Sequence, residues 1–381
     1  MSSWTLECSG CGHPESPHAP VGLCPLCGQP FLAQFTGPAP TREQLLPRWD
    51  MWRYAPALPL TEGEVPVSLG EGRTPMTEQP GLARLLGVRR LWIKDEGVNP
   101  TASFKARGLS AAVTRAKARG VPGLVVPTAG NAGAALAAYA AAAGLKARIY
   151  APETTPRPIL DIIRAMGVDL VTIDGHIGDC GKLCVAYAHE TGFFNVATLR
   201  EPFRAEGNKT LGFEMAEQLG WRLPDAVVYP TGGGEGVIGI WKAFHEMKRW
   251  GWISADERFP RMIVAQASGC APLVRALEAG ADRATPWENP STHASGLRVP
   301  GPLGDRLVLK AIRESAGDAE SATEDEIRDY TARLAHATGI DAAPEGGAAL
   351  FVAHKLVQLG RLGSDSEVVV FNTGSGASYR A

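Results

Sequence analysis

Long apolar runs are missing from this chain of 381 residues. Its most apolar stretch, Ala132 to Leu145, is mostly alanine and broken by glycines, too short and too weakly apolar to span a bilayer. No block of one charge stands out either. Lys and Arg number 38 against 40 Asp and Glu, a net charge of −2, so there is no basic footprint for nucleic acid. Met1 to Leu6 lack the charged and apolar regions of a signal peptide. Repeats, low-complexity runs and coiled-coil heptads are absent, which excludes solenoids and long zippers. Cysteine is scarce: seven residues, four of them in one metal-like pattern, do not make a disulfide framework. These absences lead to the expectation of a cytoplasmic protein with neither membrane nor nucleic-acid partner.

What is present is ordinary globular material, 45% hydrophobic and 20% charged, at a length that suits two or three domains. Short apolar strands alternate with helical patterns. Leu91–Lys94, Leu124–Val126, Ala147–Tyr150, Asp169–Ile173, Ala226–Tyr229, Met262–Ala265 and Glu367–Phe371 read as strands. Between them Ser110–Ala118, Asn131–Ala143, Ile159–Met166, Trp241–Lys248 and Leu273–Glu278 read as helices. Such alternation predicts an α/β fold with parallel sheets and crossover helices.

At the front, Cys8-x-x-Cys11 is followed by Cys24-x-x-Cys27, and each pair by a glycine, Gly12 and Gly28. The glycines let the backbone turn so that amides face the thiolates. Four thiolates suit tetrahedral zinc, and a segment this small needs such a staple to fold. We expect a zinc-ribbon-like module over 1–35. Gly37-Pro38-Ala39-Pro40 reads as a linker, and the segment after it as an arm packed across the body.

One lysine stands in an unusual setting, Asn99-Pro100-Thr101-Ala102-Ser103-Phe104-Lys105-Ala106-Arg107-Gly108. It follows a Ser/Thr-containing turn and opens an alanine-rich helical pattern. A helix N-terminus, the cation of Arg107 and partial burial would each favour the neutral amine that attacks an aldehyde. A solvated lysine in a first helical turn is the competing reading. Three strand–helix junctions shift the balance towards chemistry. Pro127-Thr128-Ala129-Gly130-Asn131-Ala132-Gly133 offers small residues and one amide side chain. Thr231-Gly232-Gly233-Gly234-Glu235-Gly236 leaves bare amides at a helix start, suited to a phosphate. Asn372-Thr373-Gly374-Ser375-Gly376 is the third. Gly234-x-Gly236-x-x-Gly239 also fits a dinucleotide fingerprint, but the next strand ends in Gln266-Ala267-Ser268 and lacks the acid a ribose requires.

With Ser68-Leu69-Gly70-Glu71-Gly72-Arg73-Thr74-Pro75, Arg204-Ala205-Glu206-Gly207-Asn208-Lys209-Thr210 and Ser295-Gly296-Leu297-Arg298-Val299-Pro300, these motifs make most of the chain, from Val67 onward, resemble one family. It is that of the fold-type II, tryptophan-synthase β-like pyridoxal-phosphate enzymes, and within them the threonine synthases. The resemblance implies two three-layer α/β domains with the cofactor between them, in addition to the ribbon. Domain bounds are expected at 36–93 for the arm and part of the large domain, 94–195 for the small domain and 196–381 for the large pyridoxal-phosphate domain.

The resemblance also implies roles. Lys105 would bind the cofactor aldehyde covalently and shuttle protons, beside Phe104. Asn131 would meet the phenolic oxygen, and Gly232, Gly233, Gly234, Glu235 and Gly236 the phosphate. Thr373 would face the pyridine nitrogen. Ser103, Thr128, Ala129, Gly130 and Ala132 would cradle a substrate carboxylate, with Arg204 and Lys209 at the substrate end. Cys8, Cys11, Cys24 and Cys27 would hold structural zinc. The implied activity is conversion of O-phosphohomoserine to threonine and phosphate by a homodimer acting on a small amino-acid substrate.

The chain departs from the family at Ala102 and Ala106, where glycine and aspartate are usual, and at Gly233 and Gly236, where asparagine is common. A threonine or serine dehydratase, a cysteate-synthase-like enzyme or a non-catalytic relative are therefore the alternatives. Cys180, Cys184 and Cys270 read as buried thiols, and Trp241, Trp250 and Trp252 as packing residues.

Overall fold

The computed structural model describes residues 3–18 and 22–380. These divide into two compact units, one from the described residues up to 73 together with 99–210, the other from 74–98 with 211–380. The first begins with a three-stranded antiparallel sheet of order β2-β1-β3, built from β1 (Trp4–Cys8), β2 (Pro14–Glu15) and β3 (Phe31–Phe35). Alternate residues Trp4, Leu6 and Cys8 of β1 and Phe31, Ala33 and Phe35 of β3 are buried, the period-2 pattern of a one-sided sheet. An arm with two short 3₁₀ turns, Arg42–Gln44 and Met51–Ala57, follows. The chain then leaves the first unit for β4 (Met76–Glu78), α1 (Pro80–Leu86) and β5 (Arg90–Asp95).

The body of the first unit comprises α2 (Lys105–Ala118), β6 (Leu124–Pro127), α3 (Asn131–Ala143), β7 (Ala147–Pro152), α4 (Arg157–Ala165), β8 (Asp169–Ile173), α5 (Ile177–Thr191), β9 (Phe194–Asn195) and the start of α6 (Phe203–Gln218). Its sheet is parallel, with order β8-β7-β6-β9. Leu124, Val125 and Val126 are fully buried, as expected of a parallel strand covered on both faces. α3 is almost all alanine and packs closely on α2, ending at Gly144 in the left-handed region (φ 69°). Cys180 and Cys184 of α5 lie in a core cluster with Val125 and Tyr150, as expected for buried thiols.

The second unit closes with β10 (Ala226–Pro230), α7 (Glu235–Arg249), β11 (Arg261–Ala267), α8 (Pro272–Glu278), α9 (Asp305–Glu314), β12 (Asp318–Ala322), α10 (Glu324–Thr338), α11 (Pro344–Gln358) and β13 (Glu367–Asn372). Its sheet runs β12-β11-β10-β13-β5-β4, parallel except for β4. Leu91, Ile93, Val228, Ile263, Val368 and Val370 meet Leu350, Val352 and Leu356 of α11 in its core. Because β10 and β13 are adjacent and parallel, with Val228 opposite Val370, the loops that follow them emerge side by side at the carboxyl edge. That edge is where open α/β sheets bind ligands. Trp250 and Trp252 pack on Phe213, and Trp241 meets Phe244 and Phe259 edge to face, so these tryptophans pack as expected.

Candidate functional site

In the first unit, Lys105 is the first residue of α2 and half-buried, with its ammonium 4.2 Å from the centre of the Phe104 ring. The 3₁₀ turn that delivers it, Pro100–Ala102, lies against α3, the helix that Asn131 opens. Lys105 and Asn131 thus belong to neighbouring helix starts, where backbone amides point outward. Arg107 is the third residue of α2 and is fully buried. Two residues on along a helix, it shares no face with Lys105, and its buried guanidinium donates to Thr210 Oγ1 at 3.1 Å. Thr128 is consumed by its own turn: its hydroxyl accepts from the amides of Gly130 (3.1 Å) and Gly133 (3.0 Å) and donates to the Gly130 carbonyl. It shapes the loop from within. Arg204 is buried and donates to the Val196 carbonyl at 2.7 Å. Lys209, also buried, pairs with Glu206 at 2.7 Å and faces the Phe35 ring of β3 at 4.7 Å.

In the second unit, the loop 231–236 joins β10 to α7, and glycine is sterically required along it. A Cβ on Gly232 would run into the Gly296 carbonyl oxygen, one on Gly234 into Val308 and one on Gly236 into the Tyr229 hydroxyl; Gly234 also has φ 90°. Glu235 is buried in the first turn of α7, at the positive end of the helix dipole. Thr373 is buried in the neighbouring loop after β13. Beneath this edge lies Glu345 of α11, a residue without a sequence signal. One of its oxygens accepts from the Gly296 amide and the Tyr379 hydroxyl, both at 2.8 Å, while Oε2 has no partner. Burial raises its pKa, only partly offset by those hydrogen bonds. Cys270 is buried and its thiol is pushed up to about 11 by burial, which makes it a poor nucleophile.

The residues present fit the cofactor that the resemblance implies. Buried polar atoms normally find partners. Yet Asn131 Oδ1 and Ser103 Oγ, next to Lys105, are buried without one. In the second unit the Gly232–Gly236 loop leads into the start of a 15-residue helix, a setting whose free amides suit a phosphate. The four cysteines fit a metal equally well. Their sulfurs all lie within 4.8 Å of one another, with Cys8–Cys27 at 3.3 Å and Cys11–Cys24 at 3.7 Å. Four sulfurs about 2.3 Å from one tetrahedral ion would lie about 3.8 Å apart. Gly12 (φ 73°) and Gly28 (φ 70°) make the left-handed turns after each pair. Burial opposes ionisation of Cys8, but the Cys11 and Gly10 amides and the neighbouring thiols outweigh it and lower its pKa to about 7. Cys11 accepts a favourable backbone bond from His13, yet burial and the other three thiols push it up to about 12.

Sequence reasoning missed the residue that holds this corner together. Glu71 is fully buried and accepts from Trp52 Nε1 (2.9 Å) of the arm, Ser110 Oγ (2.5 Å) of α2, Tyr139 OH (2.6 Å) of α3 and the Leu69 amide (2.8 Å). Burial, then the Glu71 carboxylate, push the Tyr139 phenol far above its usual range. One carboxylate therefore ties together the helices that begin with Lys105 and Asn131. Its signal was its place inside the Ser68–Pro75 motif, where only fold-level meaning had been read.

Residues 67–374 match the family described as pyridoxal-phosphate dependent enzyme. Threonine synthase of Methanosarcina acetivorans is 37% identical over 326 residues, covering 85% of this chain and 79% of that protein. Threonine synthase of Methanocaldococcus jannaschii is 35% identical over 328 residues, covering 86% and 80%. Among solved structures, maize serine racemase aligns with a TM-score of 0.68 over 80% of this chain and 88% of that one; at 21% identity the likeness is one of fold.

Proposed function

Because the chain belongs to the pyridoxal-phosphate dependent enzymes and, within them, to the threonine synthase family, we propose that it converts O-phosphohomoserine and water to threonine and phosphate. The observation that carries this reading is Lys105 at the first residue of α2, with its preceding turn against α3, whose Asn131 has an unmet buried oxygen. Bound pyridoxal phosphate would supply an electron sink for carbanion character next to the amino group. Lys105 would hold the aldehyde and, once displaced by the substrate amine, act as the acid and base. Asn131 would bind the phenolic oxygen, the Gly232–Gly236 loop the phosphate, and Ser103 with the Ala129–Ala132 backbone the substrate carboxylate. Arg204 is proposed for the substrate end, and Lys209 there only by exchanging Glu206 for the substrate anion. A hydroxyl at Thr373 cannot support a protonated pyridine as a carboxylate would, which favours elimination and replacement over transamination. Zinc in the four-cysteine cluster, a homodimer and a cytoplasmic setting belong to the same proposal.

The test is phosphate release from O-phosphohomoserine by the purified, pyridoxal-phosphate-loaded protein, with amino-acid analysis of the product. Phosphate appearing with threonine is the expected result. A yellow protein that releases none would keep the cofactor and reject the substrate.

A further inference from the structure

The four-cysteine module is docked on the helix that carries Lys105, and one buried arginine makes the joint. Arg115 of α2 is 3% exposed. Its guanidinium donates to the Pro17 carbonyl at 2.6 Å, in the loop between the two cysteine pairs, and to Thr61 Oγ1 at 3.0 Å, and it pairs with Glu64 of the arm. It also lies 5.4 Å from the centres of both the Trp4 ring of β1 and the Phe203 ring of α6, which meet edge to face at 6.0 Å. Trp4 Nε1 donates to the Leu60 carbonyl at 3.1 Å. One turn further along α2, Arg119 donates to the His18 carbonyl at 2.6 Å. Phe35 of β3 faces Lys209 on α6.

Pro17 and His18 follow β2, between the Cys11 and Cys24 positions of the cluster. β2 is two residues long. A module of about 35 residues cannot hold such a loop through apolar burial alone, so the thiolate cluster must fix it. A tailless helix end would leave Arg115 without the Pro17 carbonyl and without the Trp4 face, although its charge is buried. Lys105 lies ten residues away on the same α2, about 15 Å along a rigid rod.

We propose that the four-cysteine module is a metal-dependent brace for α2, with Arg115 as the positioning residue that couples metal occupancy to cofactor retention at Lys105. The proposal rests on the reading of Lys105 as the cofactor lysine and of the cysteines as metal ligands. By reciprocity, bound cofactor tightens the metal by the same factor that metal tightens the cofactor.

The experiment strips the metal-loaded holoenzyme with a chelator, verifies the loss by metal analysis, and measures pyridoxal-phosphate affinity through the imine absorbance. Hydrogen exchange across residues 105–116 is followed in parallel. The expected result is a loss of cofactor affinity of about fivefold or more, the lower end of known couplings between sites, with faster exchange along α2. Arg115→Met should retain metal while the ratio of cofactor affinities with and without metal falls towards one, and Arg115→Lys should restore part of that ratio. An arginine that merely packs would lower the melting temperature and leave the ratio unchanged, which would overturn its positioning role. Should Arg115→Met not fold, the chelation arm on the unaltered protein still decides the brace. Unchanged affinity and unchanged exchange in protein proven free of metal would overturn the brace, as would a purified protein that never holds metal. A protein that takes up no pyridoxal phosphate would sink the proposed function, and the exchange arm would still decide the brace by the same criterion.

Discussion

Helices α2 and α7 follow the two most specialised loops of the chain, and their approaches are built in opposite ways. The approach to α7 is made of glycines at positions where a Cβ would strike backbone or a buried hydroxyl. The approach to α2 avoids glycine where glycine would be easier: Thr101 (φ 62°) and Ala102 (φ 57°) both sit in the left-handed region. One loop is relaxed and tightly enclosed. The other is strained just ahead of the lysine, and strain of this kind persists only where surrounding structure enforces it. Around α2 that enforcement is polar, through Glu71 and Arg115. Around α7 it is steric contact with the 295–300 segment and α9. The difference teaches that a loop packed closely on its neighbours requires glycine, whereas a strained turn persists where polar partners hold the elements around it.

Lys105→Ala breaks the comparison most severely. Turnover should fall by at least about a thousandfold, as for removal of other covalent nucleophiles, and the imine absorbance should vanish from a folded protein. Full activity in that variant would end the assignment. Glu71→Ala comes next. It strands the Tyr139 hydroxyl, while Trp52 Nε1 keeps Ser110 Oγ and the Ser110 hydroxyl keeps the Val67 carbonyl as acceptors, so we expect about 1–3 kcal/mol of destabilisation by urea unfolding, the cost of one buried unmet group. A loss below about 1 kcal/mol would mean the network relaxes freely. Gly232→Ala should cost about 1–3 kcal/mol by overpacking and weaken cofactor binding, since its Cβ meets the Gly296 carbonyl oxygen, which is backbone and cannot swing aside. Wild-type affinity in that variant would show that the loop is not held by its neighbours.

Glu345 gives a pH-dependent version of the same question. Its pKa is raised in the folded protein by burial, so the folded state keeps a proton that the unfolded chain releases above about pH 4.3. Its contribution is fully present below that pH and declines as pH rises towards the folded value. Glu345→Gln is neutral throughout, so its unfolding midpoint should lose that part of the decline that sets in above about pH 4.3. An unchanged slope would place the dependence on other groups.

Much of this was legible in the sequence because strands and glycines speak locally. Leu124–Val126, Ala226–Tyr229 and Glu367–Phe371 are apolar runs bounded by turn residues, and all lie in parallel strands. The cysteine spacing brought four sulfurs together. Helices α6 and α11 escaped for opposite reasons. α6 carries the buried charges Arg204, Glu206 and Lys209, which interrupt any apolar stripe along it. α11 opens with Gly346 and Gly347, weak helix formers; a Cβ at either would strike Asn372 or Thr331, so close packing demands them. Glu71, Glu345 and Arg115 are single charged residues whose meaning comes from partners 34 to 98 positions away, beyond the reach of a local pattern.

The smallest prediction has the opposite sign from the rest. Ala102 occupies a position where the related lysine motif usually has glycine, and its φ of 57° explains why. An alanine in the left-handed region brings its Cβ close to the following carbonyl, at about 1–2 kcal/mol. Glycine there avoids that strain but has more freedom to lose on folding, which returns about 0.5–1 kcal/mol. The difference leaves Ala102→Gly stabilising by up to about 1 kcal/mol, read as a raised unfolding midpoint at unchanged slope. Unlike Gly232→Ala it removes atoms from a turn and adds none, so a loss of stability would show that the Cβ of Ala102 packs to advantage. If stability rises while turnover falls, the strained turn serves the direction of Lys105. If both rise, the strain ahead of α2 has no catalytic use, and the contrast with the glycine loop before α7 reduces to sequence drift at one position.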